Sequence, residues 1–162
     1  MRLVVQRVTR ASVSASSKLL GEIGAGAMVL AGIGTDDTPE IVERMADKLI
    51  GLRYFVDADG RTNLAIGDAG GALLVVSQFT LHADLRRGRR PGFTDAALPE
   101  VATPLLDRFV ERLRGHGVTV ETGRFGAEMD VELVNDGPFT LVIDSERDLG
   151  GVGRRLHDDH RM

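Results

Sequence analysis

The stretch RLVVQRVTRASVSASSKLLGEIGAGAMVLAGI, residues 2–33, decides the fold class. It carries four strand signals before the first helical one. Leu3–Val8 is rich in β-branched residues and bounded by polar ones, the composition of a strand. Ala11–Ala15 alternates Ala, Ser, Val, Ser, Ala, which gives a second strand one small polar face. Ser16, Ser17 and Lys18 make a turn, and Leu19–Ile23 returns as the other arm of a hairpin. Gly24 and Gly26 punctuate the chain. Ala27–Ile33 is then almost continuously apolar, the pattern of a strand buried on both faces.

Outward from this block the period changes. Asp36-Asp37-Thr38-Pro39-Glu40 reads as a helix start, with Asp37 as the cap, Glu40 three residues on and Pro39 in the first turn. Ile41, Val42, Met45, Ala46, Leu49 and Ile50 form one apolar stripe, and Gly51 closes it. Arg53–Val56 is a short strand before the turn Asp57–Gly60, and residues 62–71 read as loop. Leu73–Ser77 is a second buried strand. Residues 82–97 look irregular. Helical spacing returns with Val101, Leu105, Phe109, Val110 and Leu113, and residues 115–117 stop it. Val118–Glu121, Asp130–Val134 and Phe139–Ile143 complete the strands. The expected architecture is α/β: a single three-layer domain (helix/sheet/sheet) of mixed β-sheets with two main helices on one face. It spans residues 1–145, and residues 146–162 read as a polar, loosely held tail.

Composition narrows the function. A chain of 162 residues fits one domain. With 20 Lys plus Arg against 24 Asp plus Glu, the formal net charge is −4, which rules out a global basic coat but allows a local patch. The absence of cysteine removes disulfides, thiolate metal sites and cysteine nucleophiles. Six Phe, one Tyr and no Trp argue against a platform of several stacking aromatics. No apolar run reaches the roughly 18 residues of a membrane span or the 7–15 of a signal core, so a cytoplasmic protein is expected.

Several constellations could carry chemistry. Gly32-Ile33-Gly34 between a strand and a helix is half of a dinucleotide fingerprint, but Asp37 stands where its third glycine belongs, and a tight turn is the simpler reading. None of His82, His116, His157 and His160 has metal-ligand spacing, and no GxSxG elbow is present. His157-Asp158-Asp159-His160 has ligand-type residues within a solvated terminus. Arg86, Arg87, Arg89 and Arg90 give residues 84–90 a local charge of +3, which suits phosphate contacts or a solvated loop. Ser77-Gln78-Phe79-Thr80-Leu81 ends a buried strand with hydroxyls, an amide and exposed backbone N–H groups. It is either an oxyanion or carbonyl site or merely a polar sheet edge. Asn135-Asp136-Gly137-Pro138-Phe139-Thr140 breaks two strands with a Gly-Pro pair, the usual place for a cis peptide. Facing a site, it is a recognition device; otherwise it is a turn.

These last two segments, about 60 residues apart, resemble the two signature motifs of the D-aminoacyl-tRNA deacylases (D-tyrosyl-tRNA deacylase family). Met1–Val8 and Thr122–Ala127 also resemble that family, and the likeness runs from residue 1 to about 145. Phe139 is bulkier than the small aliphatic residue expected after the Gly-Pro pair. The resemblance implies a homodimeric esterase that binds tRNA and hydrolyses D-aminoacyl-tRNA, and glycyl-tRNA as well, while rejecting L-aminoacyl esters. It implies that Gly137 and Pro138 are cis and reach into the partner's site to enforce chirality. Ser77–Leu81 would bind the terminal adenosine and the ester, and Phe125, Gly126, Ala127 and Met129 would line the pocket. The expected catalytic groups are the backbone N–H of Phe79 and of Thr80, holding the oxyanion while water attacks. Thr80 as a nucleophile would need a base, and His82 would share its face on an extended strand. No cofactor or metal is expected, and no DNA or membrane partner. A non-catalytic tRNA-binding module and a general esterase or nucleotide-dependent enzyme around Gly32 and Gly34 are the competing readings.

Overall fold

A computed structural model describes residues 1–150. The elements are β1 (Arg2–Ala15), β2 (Lys18–Ile23), β3 (Gly26–Gly32), α1 (Pro39–Gly51), β4 (Arg53–Val56), β5 (Thr62–Ala65), β6 (Ala72–Ser77), a 3-10 turn (Phe79–His82), α2 (Pro99–Gly115), β7 (Val120–Thr122), β8 (Asp130–Asp144) and α3 (Ser145–Asp148). The main sheet runs β2-β1-β3-β6-β7, with β8 on the other side of β1. β1 is antiparallel to β2, β3 and β8, whereas β3, β6 and β7 are parallel, so the sheet is mixed. It curls until β2 and β7 nearly meet: a Cβ on Gly21 would lie 3.1 Å from the Thr122 carbonyl oxygen.

Both faces of this curled sheet are packed. On one, α1 and α2 bury Val42, Met45, Leu49, Phe109 and Leu113 over Leu3, Val29 and Leu73. On the other, Val8, Val13, Ile23, Met28, Leu74 and Val76 form a second cluster. This is the expected α/β arrangement, with the two main helices together on one side. Arg108 pairs with Glu43 across the helices, and Arg112 and His116 both reach Asp47. The Arg112 guanidinium, chiefly, holds the Asp47 carboxyl down at about 2.

Several local expectations change. The two N-terminal strands are one, because Thr9 and Arg10 turn outward without leaving the extended path. The strands at 130–134 and 139–143 are also one, since β1 pairs with both and β8 carries the interruption as a bulge. Residues 62–65, read as loop, form β5 against β4. The α1 cap is Thr38, whose hydroxyl accepts from the Ile41 amide, whereas Asp37 takes the Gly34 amide at 2.6 Å. β7 begins two residues later than the pattern suggests. Past residue 145 the chain makes α3 and buries Leu149. The expected tail beyond 150, with His157 and His160, lies outside the described residues.

Candidate active site

The site grows from the end of β6. Ser77 pairs with Ala31 of β3, and the Gln78 amide donates to the Ala31 carbonyl at 2.8 Å. The chain then abandons the sheet for the turn Phe79–His82. The first amides of any helical turn have no acceptor within it. Here the Phe79 and Thr80 amides donate to no other group among the described residues. Two adjacent free N–H groups on a short, packed turn are a ready place for an oxyanion.

What packs the turn is the glycine pair at the end of β3. A Cβ on Gly32 would sit 2.7 Å from the Gln78 carbonyl oxygen, and one on Gly34 would sit 2.9 Å from His82 Cε1. Gly32 and Gly34 therefore admit the protein's own turn where a phosphate would have to lie, and the nucleotide reading of that motif fails. The buried His82 donates from Nε2 to the Gly32 carbonyl at 3.1 Å. Because the segment is a 3-10 turn, His82 does not share a face with Thr80, contrary to the extended-strand expectation. The Thr80 hydroxyl instead accepts from the Gln78 side-chain amide. No base contacts it among the described residues.

Beside the turn opens a cavity of about 590 Å³. Ser77, Gln78, Phe79, Phe125, Gly126, Ala127 and Met129 all line it, so two segments 50 residues apart meet as the sequence suggested. Thr80, Gly137, Pro138 and the arginine loop are not among its lining residues. A smaller cavity of about 240 Å³ adjoins it through Ser77, Leu106 and Phe125 and carries Asp107, Glu111 and Arg114. The sequence reading missed the opposite wall, residues 96–99 and the first turns of α2, with Phe93 at the mouth. The signal was an apolar residue, Phe93, stranded in a polar irregular stretch. It also underrated the aromatics: three of the six Phe, at positions 79, 93 and 125, border this one cavity and are 55%, 39% and 37% exposed.

The arginine loop is a closed hairpin. Asp84 and Gly92 exchange backbone hydrogen bonds of 2.7 and 2.9 Å at its base. Arg86 clamps Asp84 with Nε and NH2, both at 2.8 Å. That contact holds the Asp84 carboxyl well below the usual carboxylate range and raises Arg86. Arg86 is thus tied into the loop's own frame. Arg87, Arg89 and Arg90 are exposed and have no acidic partner among the described residues.

The Gly-Pro segment is the third part. The Gly137–Pro138 bond is cis. Opposite the single residue Arg7, β8 places residues 136–139, which bow out of the ladder between the Gln6–Thr140 and Val8–Asn135 pairs. Arg7 is 7% exposed. It donates to the Asp136 carbonyl at 3.1 Å and the Tyr54 carbonyl at 2.7 Å, and its guanidinium lies 4.7 Å from the centre of the Phe139 ring. Asn135 ties the bow's two ends by donating to the Arg7 and Phe139 carbonyls. The bulky Phe139 points inward and stacks at 6.3 Å on the buried Tyr54, whose phenol is pushed up by burial. Gly137 and Pro138 are left exposed at the crest.

Among the described residues no group of three or more His, Asp or Glu could hold a metal, and no helix is long and apolar enough to cross a membrane. The family model described as D-Tyr-tRNA(Tyr) deacylase matches residues 4–144. A D-aminoacyl-tRNA deacylase of Symbiobacterium thermophilum is 56% identical over 147 residues, covering 91% of this chain and 97% of the relative. One of Fervidobacterium nodosum is 52% identical, covering 91% and 99%. Among solved structures, the c-Myc DNA Unwinding Element Binding Protein superposes with a TM-score of 0.84 at 38% identity, over 89% of this chain and 98% of that one. A probable eukaryotic D-amino acid tRNA deacylase shares the fold, with a TM-score of 0.75 at 20% identity.

Proposed function

The chain belongs to the D-Tyr-tRNA(Tyr) deacylase family and is a D-aminoacyl-tRNA deacylase, a hydrolase, and from that premise we propose how its pocket works. The observation that carries the mechanism is the pair of free amides at Phe79 and Thr80 beside the large cavity. An aminoacyl ester is already activated. Water adds to the ester carbon, and the Phe79 and Thr80 N–H groups take the negative charge that develops on the carbonyl oxygen. The bond to the ribose oxygen then breaks. The neighbouring ribose hydroxyl passes the water's proton to that leaving oxygen, which frees the amino acid and intact tRNA.

The alternative, attack by the Thr80 hydroxyl, lacks a base to activate it. Thr80→Ala will therefore keep activity within about threefold of the parent, where loss of a true nucleophile costs several orders of magnitude. Hydrolysis of D-aminoacyl-tRNA under single-turnover conditions measures this. A dead, folded Thr80→Ala protein would restore the side-chain mechanism.

The chirality filter needs a second copy. Gly137 and Pro138 crest outward and do not line their own chain's cavity. Among the described residues β8 pairs only with β1, and it exposes Val131, Val134 and Val142. In the homodimer each Gly-Pro crest enters the other subunit's cavity. Its carbonyls meet the substrate ammonium, and its backbone occupies the space of an L side chain. Exclusion suits an enzyme that must accept many D side chains, because a pocket cannot grip them all. Glycyl esters, with no side chain to reject, are substrates too. The tRNA substrate places the reaction in the cytoplasm.

Gly137→Val tests this directly. Its Cβ would press on Asn135 Oδ1 at 3.0 Å and its methyls would stand in the ligand's path. D-aminoacyl-tRNA hydrolysis will fall by about a hundredfold or more, as misplaced recognition groups do. The dimer, measured by light scattering, will persist. Unchanged hydrolysis would remove Gly137 from the filter.

A further inference from the structure

Three features adjoin one another in the structure. First is the turn with the free amides of Phe79 and Thr80. Second is Phe93, whose ring meets the Phe79 ring edge to face at a centroid distance of 5.1 Å. Third is the hairpin carrying Arg87, Arg89 and Arg90, which closes at the Asp84–Gly92 bridge immediately before Phe93. Phe93 thus adjoins the turn through the Phe79 ring and the foot of the arginine hairpin next to Gly92. It lines the cavity and is 39% exposed, although an aromatic ring gains by burial.

A half-exposed aromatic beside unpaired arginines suits unpaired nucleic acid. Base faces stack on aromatic rings while cationic side chains follow the phosphates. The acylated end of tRNA is such a strand. With the terminal adenosine committed to the Ser77–Leu81 segment, the strand must run outward toward the loop. The next base then passes over Phe93. Resting on the deacylase reading above, we propose that Phe93 is the stacking platform for the nucleotide that precedes the terminal adenosine. The enzyme therefore reads an oligonucleotide tail and not an aminoacyl nucleoside alone. The Phe79 and Phe93 rings meet at an interplanar angle of 70°, and Phe93 keeps enough exposed surface to take a base.

The test uses two small probes, D-tyrosyl-adenosine and D-tyrosyl-cytidylyl-cytidylyl-adenosine. The parent will show a higher kcat/KM on the trinucleotide. Phe93→Ala and Phe93→Leu will each erase about tenfold of that preference, the scale of one base stack, by lowering kcat/KM on the trinucleotide about tenfold more than on the nucleoside. Phe93→Tyr will restore it. Phe93→Leu keeps the apolar volume, so a folding defect cannot imitate the result. A trinucleotide with 2-aminopurine in the middle position will be quenched on binding the parent and not the leucine variant. Equal losses on both probes would overturn the proposal, because the ring would then merely support Phe79. A parent with no preference for the trinucleotide would overturn it too. A parent inert on both probes would defeat the deacylase reading itself.

Discussion

Arg7→Ala will lower the midpoint of thermal unfolding by about 10 °C and cut D-aminoacyl-tRNA hydrolysis by about a hundredfold. The reason is the position of the guanidinium. It is almost wholly buried, and it bonds the Asp136 and Tyr54 carbonyls while covering Phe139. Its removal leaves two carbonyls unsatisfied and opens a void, which together cost about 3 kcal/mol. Nothing else in β1 bridges β4 to the crest of β8. The crest then loses its fixed position, so activity falls by more than stability explains. Arg7→Lys will rescue little, since one ammonium cannot reach both carbonyls in the guanidinium's geometry. Circular dichroism melts and single-turnover assays on D- and L-aminoacyl-tRNA decide it. A variant that melts normally and keeps full stereoselectivity would show that the crest holds itself.

Removing Arg87, Arg89 and Arg90 together will weaken tRNA binding by about two orders of magnitude at 0.1 M salt. It will also flatten the plot of log affinity against log salt by about 2–3 units, because each phosphate contact contributes roughly 0.7–0.9. The loss will be equal for all tRNAs, as phosphate contacts carry no sequence information. Arg86→Ala alone will leave that slope almost unchanged, since Arg86 is committed to Asp84. Filter binding across a salt series separates the two variants. A triple variant that binds like the parent would make the hairpin an ordinary solvated loop.

Much of the fold was legible because its strands are strongly patterned. Val29 and Leu73 sit in continuous apolar runs that only a doubly covered sheet can bury, and the α1 stripe from Val42 to Leu49 is regular. Two of the failures share one cause. Thr9–Arg10 and Asn135–Pro138 look like strand ends, yet β1 and β8 run through them because each strand supplies the other's ladder. Pairing over more than a hundred residues leaves no local trace. At the site, the motif residues 77–79 and 125–129 were legible as types. The far wall at 96–99 was not, because its residues contribute shape and not chemistry. The fate of His82 was hidden as well: only the turn's curvature, allowed by Gly32 and Gly34, points its ring at the Gly32 carbonyl.

The pairing of β1 with β8 has a consequence during synthesis. β1 leaves the ribosome before the other described elements, and one whole side of it is reserved for residues 130–144. At 5–20 residues per second the nascent chain waits on the order of ten seconds for that partner. Through that interval the second apolar cluster, built on Val8 and Val13, cannot be closed by Leu133. The Gly-Pro crest rides on the same late strand. A translating ribosome therefore carries a chain that already has the Phe79–His82 turn but not yet the Gly-Pro crest. The means we propose for refusing L-aminoacyl esters is made later than the means we propose for holding the ester.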